Sequence, residues 1–160
     1  MKTIRPSVFE TNSSSVHTLC LCTEDQYRKF LDKEMFWKYE KLVTLDEVYD
    51  DFCIYLNDHK EDDSYSLDRF DGKVPSKELF EKAIMEDEWQ YKYNIEERDE
   101  YERDEYESDE QWYIALIQWW LVAHEYGNCE NYFNRYGDWY ETYEKTSNGM
   151  TAFGYFGRDG

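Results

Sequence analysis

The chain has little positive charge. Its 160 residues include 18 Lys and Arg against 37 Asp and Glu, which leaves a formal net charge of −19. Because phosphate contacts are made mostly by Lys and Arg, this imbalance argues against direct binding to a nucleic acid or to an anionic membrane surface. With only 2 Pro and 7 Gly, the chain is also neither collagen-like nor a flexible linker.

No apolar run in the sequence is long enough to span a bilayer. The most apolar stretch, residues 112–123, has about a dozen residues and contains Gln118, whereas a membrane-spanning helix needs about 20. The opening residues MKTIRPSVFETNSSS contain no apolar segment of the kind found in a secretory signal. We therefore expect a cytoplasmic protein with a buried helix around residues 112–123.

Cysteine is sparse for a protein of this size that depends on disulfides. The four cysteines are Cys20, Cys22, Cys53 and Cys129, and free thiols in a reducing compartment are the simpler interpretation. On a strand, Cys20 and Cys22 would point to one face, but the 3 histidines are too scattered to complete a metal centre. We predict buried thiols, with no metal and no other cofactor.

Aromatic residues, in contrast, are abundant. Hydrophobic residues make up 41% of the chain and aromatic residues 19%, with 16 Tyr and 6 Trp. A disordered acidic chain would be poor in aromatics, so we expect a folded protein. The length suits one domain, and we predict a single acidic domain over residues 1–160.

Local patterns favour an α+β fold. Capping boxes at residues 23–26 and 44–47 predict helices over 24–33 and 45–57, because a Thr hydroxyl and the side chain three residues later satisfy N–H groups at the helix start. Apolar periodicity and turn residues predict the other elements. These are a strand over 16–22, a loop over 58–75, a third helix starting at Pro75 and Ser76, a buried helix over 112–126 ended by Gly127 and Asn128, and a hairpin with strands in 138–145 and 150–156.

The strongest feature is the hyperacidic segment, residues 96–110, which reads EERDEYERDEYESDE. Ten of its fifteen residues are acidic and two are Arg, so its local charge is −8. In a helix these carboxylates would have a mean spacing of about 2.2 Å along the axis. Duplex DNA has a similar charge density, with one negative charge per roughly 1.7 Å of its axis. The segment would either form one helix with residues 112–126 or abut it, and a solvated or disordered acidic surface is the alternative interpretation.

A nucleic-acid-like charge density makes the hyperacidic segment the candidate partner-binding site. Its two tyrosines would add contact area, since Tyr is favoured at protein interfaces. The predicted partner-binding residues are Glu96, Glu97, Asp99, Glu100, Tyr101, Glu102, Asp104, Glu105, Tyr106, Glu107, Asp109 and Glu110.

Common enzyme signatures are absent from the sequence. There is no phosphate-binding loop, no G-x-G-x-x-G, no H-E-x-x-H and no C-x-x-C. The N-terminal residues Asn12, Ser15 and His17 place an amide and a hydroxyl near an imidazole, which leaves a small catalytic site there as an alternative. We favour a turn whose side chains cap backbone groups, and we assign no catalytic residue.

Residues 5–19, RPSVFETNSSSVHTL, resemble the start of a group of uncharacterised proteins from phages and prophages of Gram-positive bacteria. Those proteins share an F-E-T-N-S-S-S-x-H-[ST] opening, a T-E-x-x-[YF] helix start, found here at 23–27, and a hairpin ending in A-F-G-x-[YF]-G, found here at 152–157. The resemblance implies a small phage protein that acts inside an infected bacterium. The resemblance implies no activity and no catalytic residue.

One functional hypothesis and two alternatives follow. Small acidic phage proteins such as Ocr-type antirestriction proteins and several anti-CRISPR proteins mimic DNA. We therefore predict a non-enzymatic inhibitor that blocks the basic groove of a host nucleic-acid-binding protein, such as a CRISPR effector nuclease or a restriction enzyme. The alternatives are a small phage enzyme with its site at the N-terminal turn, and a phage accessory or assembly protein that uses its C-terminal hairpin. No direct nucleic-acid or membrane partner is expected, and a homodimer is left open.

Overall fold

The computed structural model describes residues 15–17, 19–61, 66–87, 89, 103–134 and 141–158. Over these residues the chain forms helices and two antiparallel sheets, which confirms the predicted α+β fold. The strands are β1 (Ser15–His17), β2 (Cys20–Thr23), β3 (Met35–Lys38), β4 (Lys41–Thr44), β5 (Tyr126–Gly127), β6 (Glu141–Ser147) and β7 (Met150–Arg158). The helices are α1 (Glu24–Leu31), α2 (Leu45–Asp58), α3 (Lys77–Met85), α4 (Asp109–Ala123) and α5 (Cys129–Asn134).

The first sheet is built around the last strand, β7. It pairs with β6 along one edge and with both β2 and β1 along the other, so the predicted strand over 16–22 is present as two short strands in one common register. Asn148 and Gly149 join β6 to β7 with φ angles of 54° and 76°. Positive φ at both central residues is what a tight two-residue hairpin requires, and the predicted hairpin is confirmed.

The second sheet, in the order β4–β3–β5, separates two groups of buried side chains. Successive residues of a strand point to opposite faces. Phe36 accordingly packs in the main core with α2, α3 and α4, while Met35 and Trp37 pack in a smaller core against the first sheet. β3 is buried on both faces because it lies between these two cores.

α4 is the central buried helix that the sequence predicts, with nine of its fifteen residues buried. It ends at Ala123, and the predicted end at Gly127 and Asn128 is wrong. Glu125 adopts a left-handed φ of 60°, which stops the helix in the manner usually reserved for glycine, and the chain continues as β5. No helix in the described ranges combines the length and the apolar character needed to cross a membrane.

Both predicted capping boxes are present. The Thr23 hydroxyl accepts the Gln26 N–H at 3.1 Å while the Gln26 side chain accepts the Thr23 N–H at 3.0 Å. Thr44 and Glu47 form the same pair at the start of α2. α1 ends two residues earlier than predicted because Lys33 follows its C-cap in a left-handed conformation, with φ 58°.

The predicted loop over 58–75 is partly structured. Residues Leu67–Phe70 form a 3-10 turn, and Phe70 is buried in the main core, where its ring meets the edge of Phe52 at 5.8 Å between centroids. The third helix begins where predicted, since the Ser76 hydroxyl accepts the Leu79 N–H at 3.2 Å. Phe70, with Leu67 and Val74 packed against the same core, therefore fixes the described part of a segment whose polar sequence predicts a loop.

Cys20 and Cys22 lie on the inner face of β2, as their spacing predicts. Both are buried and free, whereas Leu21 between them is exposed. Burial raises the pKa of the Cys20 thiol to about 12 and that of Cys22 to about 11. At neutral pH both thiols are therefore protonated. They pack as small apolar side chains and do not act as nucleophiles.

Candidate functional site

The described part of the hyperacidic segment, residues 103–110, does not continue α4 as one helix. Residues Arg103–Glu105 form a 3-10 turn. Ser108 is extended, and its hydroxyl accepts the Gln111 N–H at 3.2 Å, so that α4 begins at Asp109. The charge spacing expected for a continuous helix therefore does not apply to this part of the segment.

Arg103 ties this part of the segment to the body of the protein. Its two terminal nitrogens donate to the two carboxylate oxygens of Asp71, each at 2.9 Å, and its Nε donates to Asp109 at 2.9 Å. The guanidinium also lies 5.3 Å from the ring centroid of Tyr113 and donates to its hydroxyl at 3.0 Å. We call these four side chains the Arg103 clamp, because a forked and stacked guanidinium fixes orientation as well as charge.

Arg103 and Asp71 within the clamp form an ion pair at neutral pH. The hydrogen bonds from Arg103 and Tyr113 hold the pKa of Asp71 down at about 2, and Asp71 and then Asp109 raise the pKa of Arg103 above its usual range. The Arg103 and Asp71 side chains are 35% and 55% exposed, and such pairs contribute little net stability. What the clamp contributes is a fixed position for the segment.

The remaining described residues of the segment divide into two groups. Glu110 pairs with Lys82 of α3, and Tyr106 packs half-buried against Trp112 with 5.3 Å between ring centroids. Glu105 and Glu107 are exposed. Part of the predicted interface is thus engaged in contacts with the body of the protein, and part faces solvent.

Several predicted site residues lie where the structure gives no account of them. For Asp104 it describes the backbone only, and Asn12 is outside the described residues. Ser15 and His17 lie in β1 opposite Arg158 and Phe156; their side chains are outside the described part of the structure, and the N-terminal alternative stays a prediction. The predicted interface residues outside the described part are Glu96, Glu97, Asp99, Glu100, Tyr101 and Glu102.

A second site, which the sequence did not reveal, is a cleft at the point where α2 and α4 end. Its volume is about 320 Å³. It lies between the outward side of the second half of α2, the end of α4, the turn that follows β3, and β5. We call it the helix-end cleft.

One wall of the helix-end cleft is a triad of Lys38, Asp51 and Tyr126. The Lys38 ammonium donates to Asp51 at 3.0 Å and to the Tyr126 hydroxyl at 2.7 Å, and that hydroxyl donates to Asp51 at 2.5 Å. The ammonium also lies 4.8 Å from the centroid of the Tyr126 ring. The cleft thus already holds one cation against a carboxylate and an aromatic face.

The hydrogen bonds of this triad decide its charge state. Burial by itself would lower the pKa of Lys38 and raise that of Asp51, but their hydrogen bonds with each other and with Tyr126 outweigh it in both cases. The pKa of Lys38 is therefore raised and that of Asp51 lowered. Burial and the Asp51 carboxylate raise the pKa of Tyr126 to about 12, so at neutral pH the triad is one ion pair and a neutral phenol.

The other wall contains two histidines in matching positions. His59 is the C-cap of α2 and His124 the C-cap of α4. In each, Nδ1 lies close to the carbonyl oxygen four residues earlier, at 2.9 Å from Tyr55 and 2.8 Å from Trp120. Because a carbonyl oxygen can only accept, Nδ1 carries the proton in both rings.

Ring contacts within each helix end and one edge-on contact between them bring the ends of α2 and α4 together. The His59 ring stacks on Tyr55 at 4.0 Å between centroids, and the His124 ring stacks on Trp120 at 4.7 Å. His124 also meets Tyr55 edge-on at 4.9 Å. The last turns of α2 and α4 therefore meet at the cleft.

The rim of the helix-end cleft is apolar and exposed. Tyr39 is 56% exposed and Ile54 59% exposed. Tyr39 also holds a φ of 53°, a conformation that costs a non-glycine residue about 1 kcal/mol. A signal in the sequence could have indicated this face, because Asp51, Ile54 and Asp58 share one side of α2 outside its core stripe.

No known protein family, curated protein or solved structure matches this chain. Within the described residues, no group of three or more His, Cys, Asp or Glu side chains is placed to hold a metal ion. Function is therefore inferred from the charges and contacts of the chain itself.

Proposed function

We propose that this protein is a non-enzymatic, phage-encoded inhibitor of a host defence enzyme that depends on nucleic acid, of the anti-CRISPR or antirestriction kind. It acts in the cytoplasm of the infected bacterium as an acidic nucleic-acid mimic. The net charge of −19 and the ten carboxylates of residues 96–110 support a partner with a basic DNA- or RNA-binding groove.

The observation that carries the proposal is the Arg103 clamp. A freely moving acidic tail attracts basic proteins, but a mimic also needs carboxylates at fixed positions. The fork of Arg103 on Asp71, together with the Lys82–Glu110 pair, fixes one end of the hyperacidic segment on the body of the protein. Glu107 is then exposed directly after an anchored turn.

The anchoring cation leaves most of the local negative charge in place. Residues 103–110 contain five carboxylates and one Arg, a net charge of −4. Exposed charges of this kind steer an encounter more than they hold a complex. Association should therefore be fast and salt-sensitive, since screening acts beyond about 8–10 Å.

A charge-neutral variant of the segment tests the proposal. Residues Glu97, Asp99, Glu100, Asp104 and Glu105 are replaced by their amides, and inhibition of the host nuclease is measured. We expect at least about tenfold weaker inhibition. The matched control removes the same charge from exposed positions elsewhere, at Glu24, Asp32, Glu34, Glu61 and Glu130. Equal inhibition by the two variants would remove the segment from the mechanism.

The target itself can be identified by capture from host lysate. The bound proteins are eluted with a salt gradient, and in parallel with duplex DNA as a competitor. We expect the captured protein to be a nucleic-acid enzyme that duplex DNA releases from the immobilised chain, because the chain and the DNA would bind in the same groove. Capture of proteins that DNA fails to displace would contradict the shared groove.

A further inference from the structure

We propose that the helix-end cleft binds the arginine side chain of a protein partner. This deepens the proposed function and rests on it for the partner's identity, since a basic nucleic-acid-binding groove is rich in arginine. The site itself is separate from the hyperacidic segment and is argued from its own residues.

The electrostatics of two helix ends favour a cation in the cleft. The C-terminal end of a helix carries partial negative charge from its last carbonyl groups. α2 and α4 both end here, and neither has a basic residue in its last turn. Two such ends, brought together by Tyr55, His59 and His124, would repel an anion and attract a cation.

Asp58 adds a full negative charge to the partial negative charge of the helix ends, at a position where a carboxylate destabilises the helix. It is the last residue of α2, and a carboxylate at a helix C-terminus opposes the helix dipole. Within the described part of the chain, no Lys or Arg pairs with it. A partner's cation would supply the pairing that this carboxylate lacks there.

The aromatic side chains of the cleft suit a cation as well. Tyr39 lines it with Asp58 and is 56% exposed, and a cation over an aromatic face is attracted by the ring. The triad shows the same chemistry within the cleft, where the Lys38 ammonium lies over Tyr126 and against Asp51. Because Asp51 balances the charge of Lys38, that ammonium does not cancel the negative field at Asp58.

The Arg103 clamp indicates why the cation is arginine rather than lysine. There a planar guanidinium forks onto a carboxylate, at 2.9 Å to each oxygen of Asp71, and lies over a tyrosine ring at 5.3 Å. The helix-end cleft presents Asp58 together with the Tyr39 ring in a space of about 320 Å³. An ammonium can lie over one ring and against one carboxylate oxygen, as Lys38 does, but only a guanidinium can also donate to both oxygens of the carboxylate in a planar fork.

The rim indicates a side chain on a protein rather than a free small molecule. Tyr39 and Ile54 leave more than half of their surface exposed beside the charged interior, at 56% and 59%. An apolar rim of this kind would be covered by the surface of a protein that carries the arginine. A phosphate-bearing ligand is disfavoured by the net charge of −19.

The test compares two isosteric probes on the full chain. N-acetyl-arginine amide and N-acetyl-citrulline amide differ in the charge of the side-chain head group, and NMR shifts of Tyr55, Asp58 and His59 report on the cleft. We expect saturable shifts with the arginine probe in the millimolar range and none with citrulline. Equal shifts with both probes, equal affinity for N-acetyl-lysine amide, or no shifts at the cleft would overturn the proposal.

Two variants sharpen this test. Asp58→Asn should weaken binding of the arginine probe about fivefold, as expected for an exposed ion pair, without unfolding the chain, because Asp58 is exposed at a helix end. The matched control is Asp32→Asn, which removes an exposed carboxylate at the C-cap position of α1, outside the cleft, and it should bind as the parent protein does. Unchanged binding by Asp58→Asn would overturn the assignment of Asp58. Neither readout involves nuclease inhibition, so this proposal and the function of the hyperacidic segment can fail independently.

Discussion

The Arg103 clamp and the helix-end cleft are built from the same kinds of side chain, but they place them differently. In the clamp a carboxylate and a tyrosine surround a guanidinium supplied by the chain itself. In the cleft one carboxylate, Asp51, has its cation in Lys38, while the other, Asp58, faces solvent at the end of a helix. The same carboxylate and tyrosine groups can therefore either anchor a segment or remain open to a partner, depending on whether the cation lies within the chain.

The two sites also differ in how they are attached to the rest of the fold. The clamp joins an exposed 3-10 turn to an exposed loop through Arg103 and Asp71. The floor of the cleft is Trp120, which is 2% exposed and belongs to the main core. Changes in the clamp should therefore act locally, whereas changes in the floor of the cleft should act on the whole fold.

Trp120→Ala should have the largest effect. The indole packs edge-on against Phe52 at 5.1 Å and stacks on Tyr126 at 5.3 Å between ring centroids, so its removal leaves a cavity in the core. We expect a loss of about 3–5 kcal/mol in the free energy of unfolding, measured by urea denaturation. Ile54→Ala on the exposed rim is the control and should change it by less than about 0.5 kcal/mol. Equal losses in the two variants would show that the cleft has no floor in the core.

Arg103→Gln should act locally, on the titration of Asp71. Without the guanidinium, the pKa of Asp71 should rise from about 2 toward the usual value of about 3.9. A carboxyl whose pKa is lowered by folding stabilises the protein above its unfolded pKa, and this contribution is lost as the pH falls through its folded pKa. The parent protein should therefore lose this contribution between about pH 4 and pH 2, and the variant should not have it.

The measurement is the carboxyl ¹³C shift of Asp71 as a function of pH. Arg103→Lys is the control, because it retains the charge but not the fork, and its titration should lie between those of the parent and of Arg103→Gln. An unchanged titration in Arg103→Gln would mean that Tyr113 alone holds the carboxylate, and that Arg103 does not anchor the segment.

Thr44→Ala should have an intermediate effect and separates the two ends of α2. Its hydroxyl caps the start of the helix, and loss of such a cap costs about 1 kcal/mol in the free energy of unfolding. Thermal unfolding of Thr44→Ala and of Thr44→Ser, which retains the hydroxyl, measures the cost. Because the cleft lies at the other end of α2, the NMR signals of Tyr55 and His59 should not change. A large change there would mean that the whole helix shifts when its start is altered.

The elements that the sequence predicts correctly have local causes. The two capping boxes, the Asn148–Gly149 hairpin turn and the apolar helix α4 each depend on residues a few positions apart. The errors at helix ends are also local in origin. Lys33 and Glu125 adopt the left-handed conformation for which the usual signal is glycine, so the sequence places the ends of α1 and α4 two and three residues too late.

Neither site could be assembled from the sequence, because its members come from distant segments. Arg103 and Asp71 are 32 residues apart, and Asp51 and Tyr126 are 75 residues apart. The hyperacidic segment was visible because its charge lies in one run, but its anchor was not, since Asp71 belongs to a segment predicted as a loop. A contact that depends on how two elements pack leaves no local pattern to recognise.

Asp58→Asn should have the smallest effect, and its sign distinguishes the two sites. Removing a carboxylate that opposes the dipole of α2 should raise the free energy of unfolding by about 0.3–0.5 kcal/mol. Asp71→Asn should lower it, because the amide cannot accept the fork of Arg103 at both atoms, and Asn tolerates the left-handed φ of 56° at this position. Urea denaturation of the two variants measures both signs. If Asp58→Asn instead destabilises the protein as Asp71→Asn does, then Asp58 already has a partner within the chain, and the helix-end cleft is a second clamp rather than an open site.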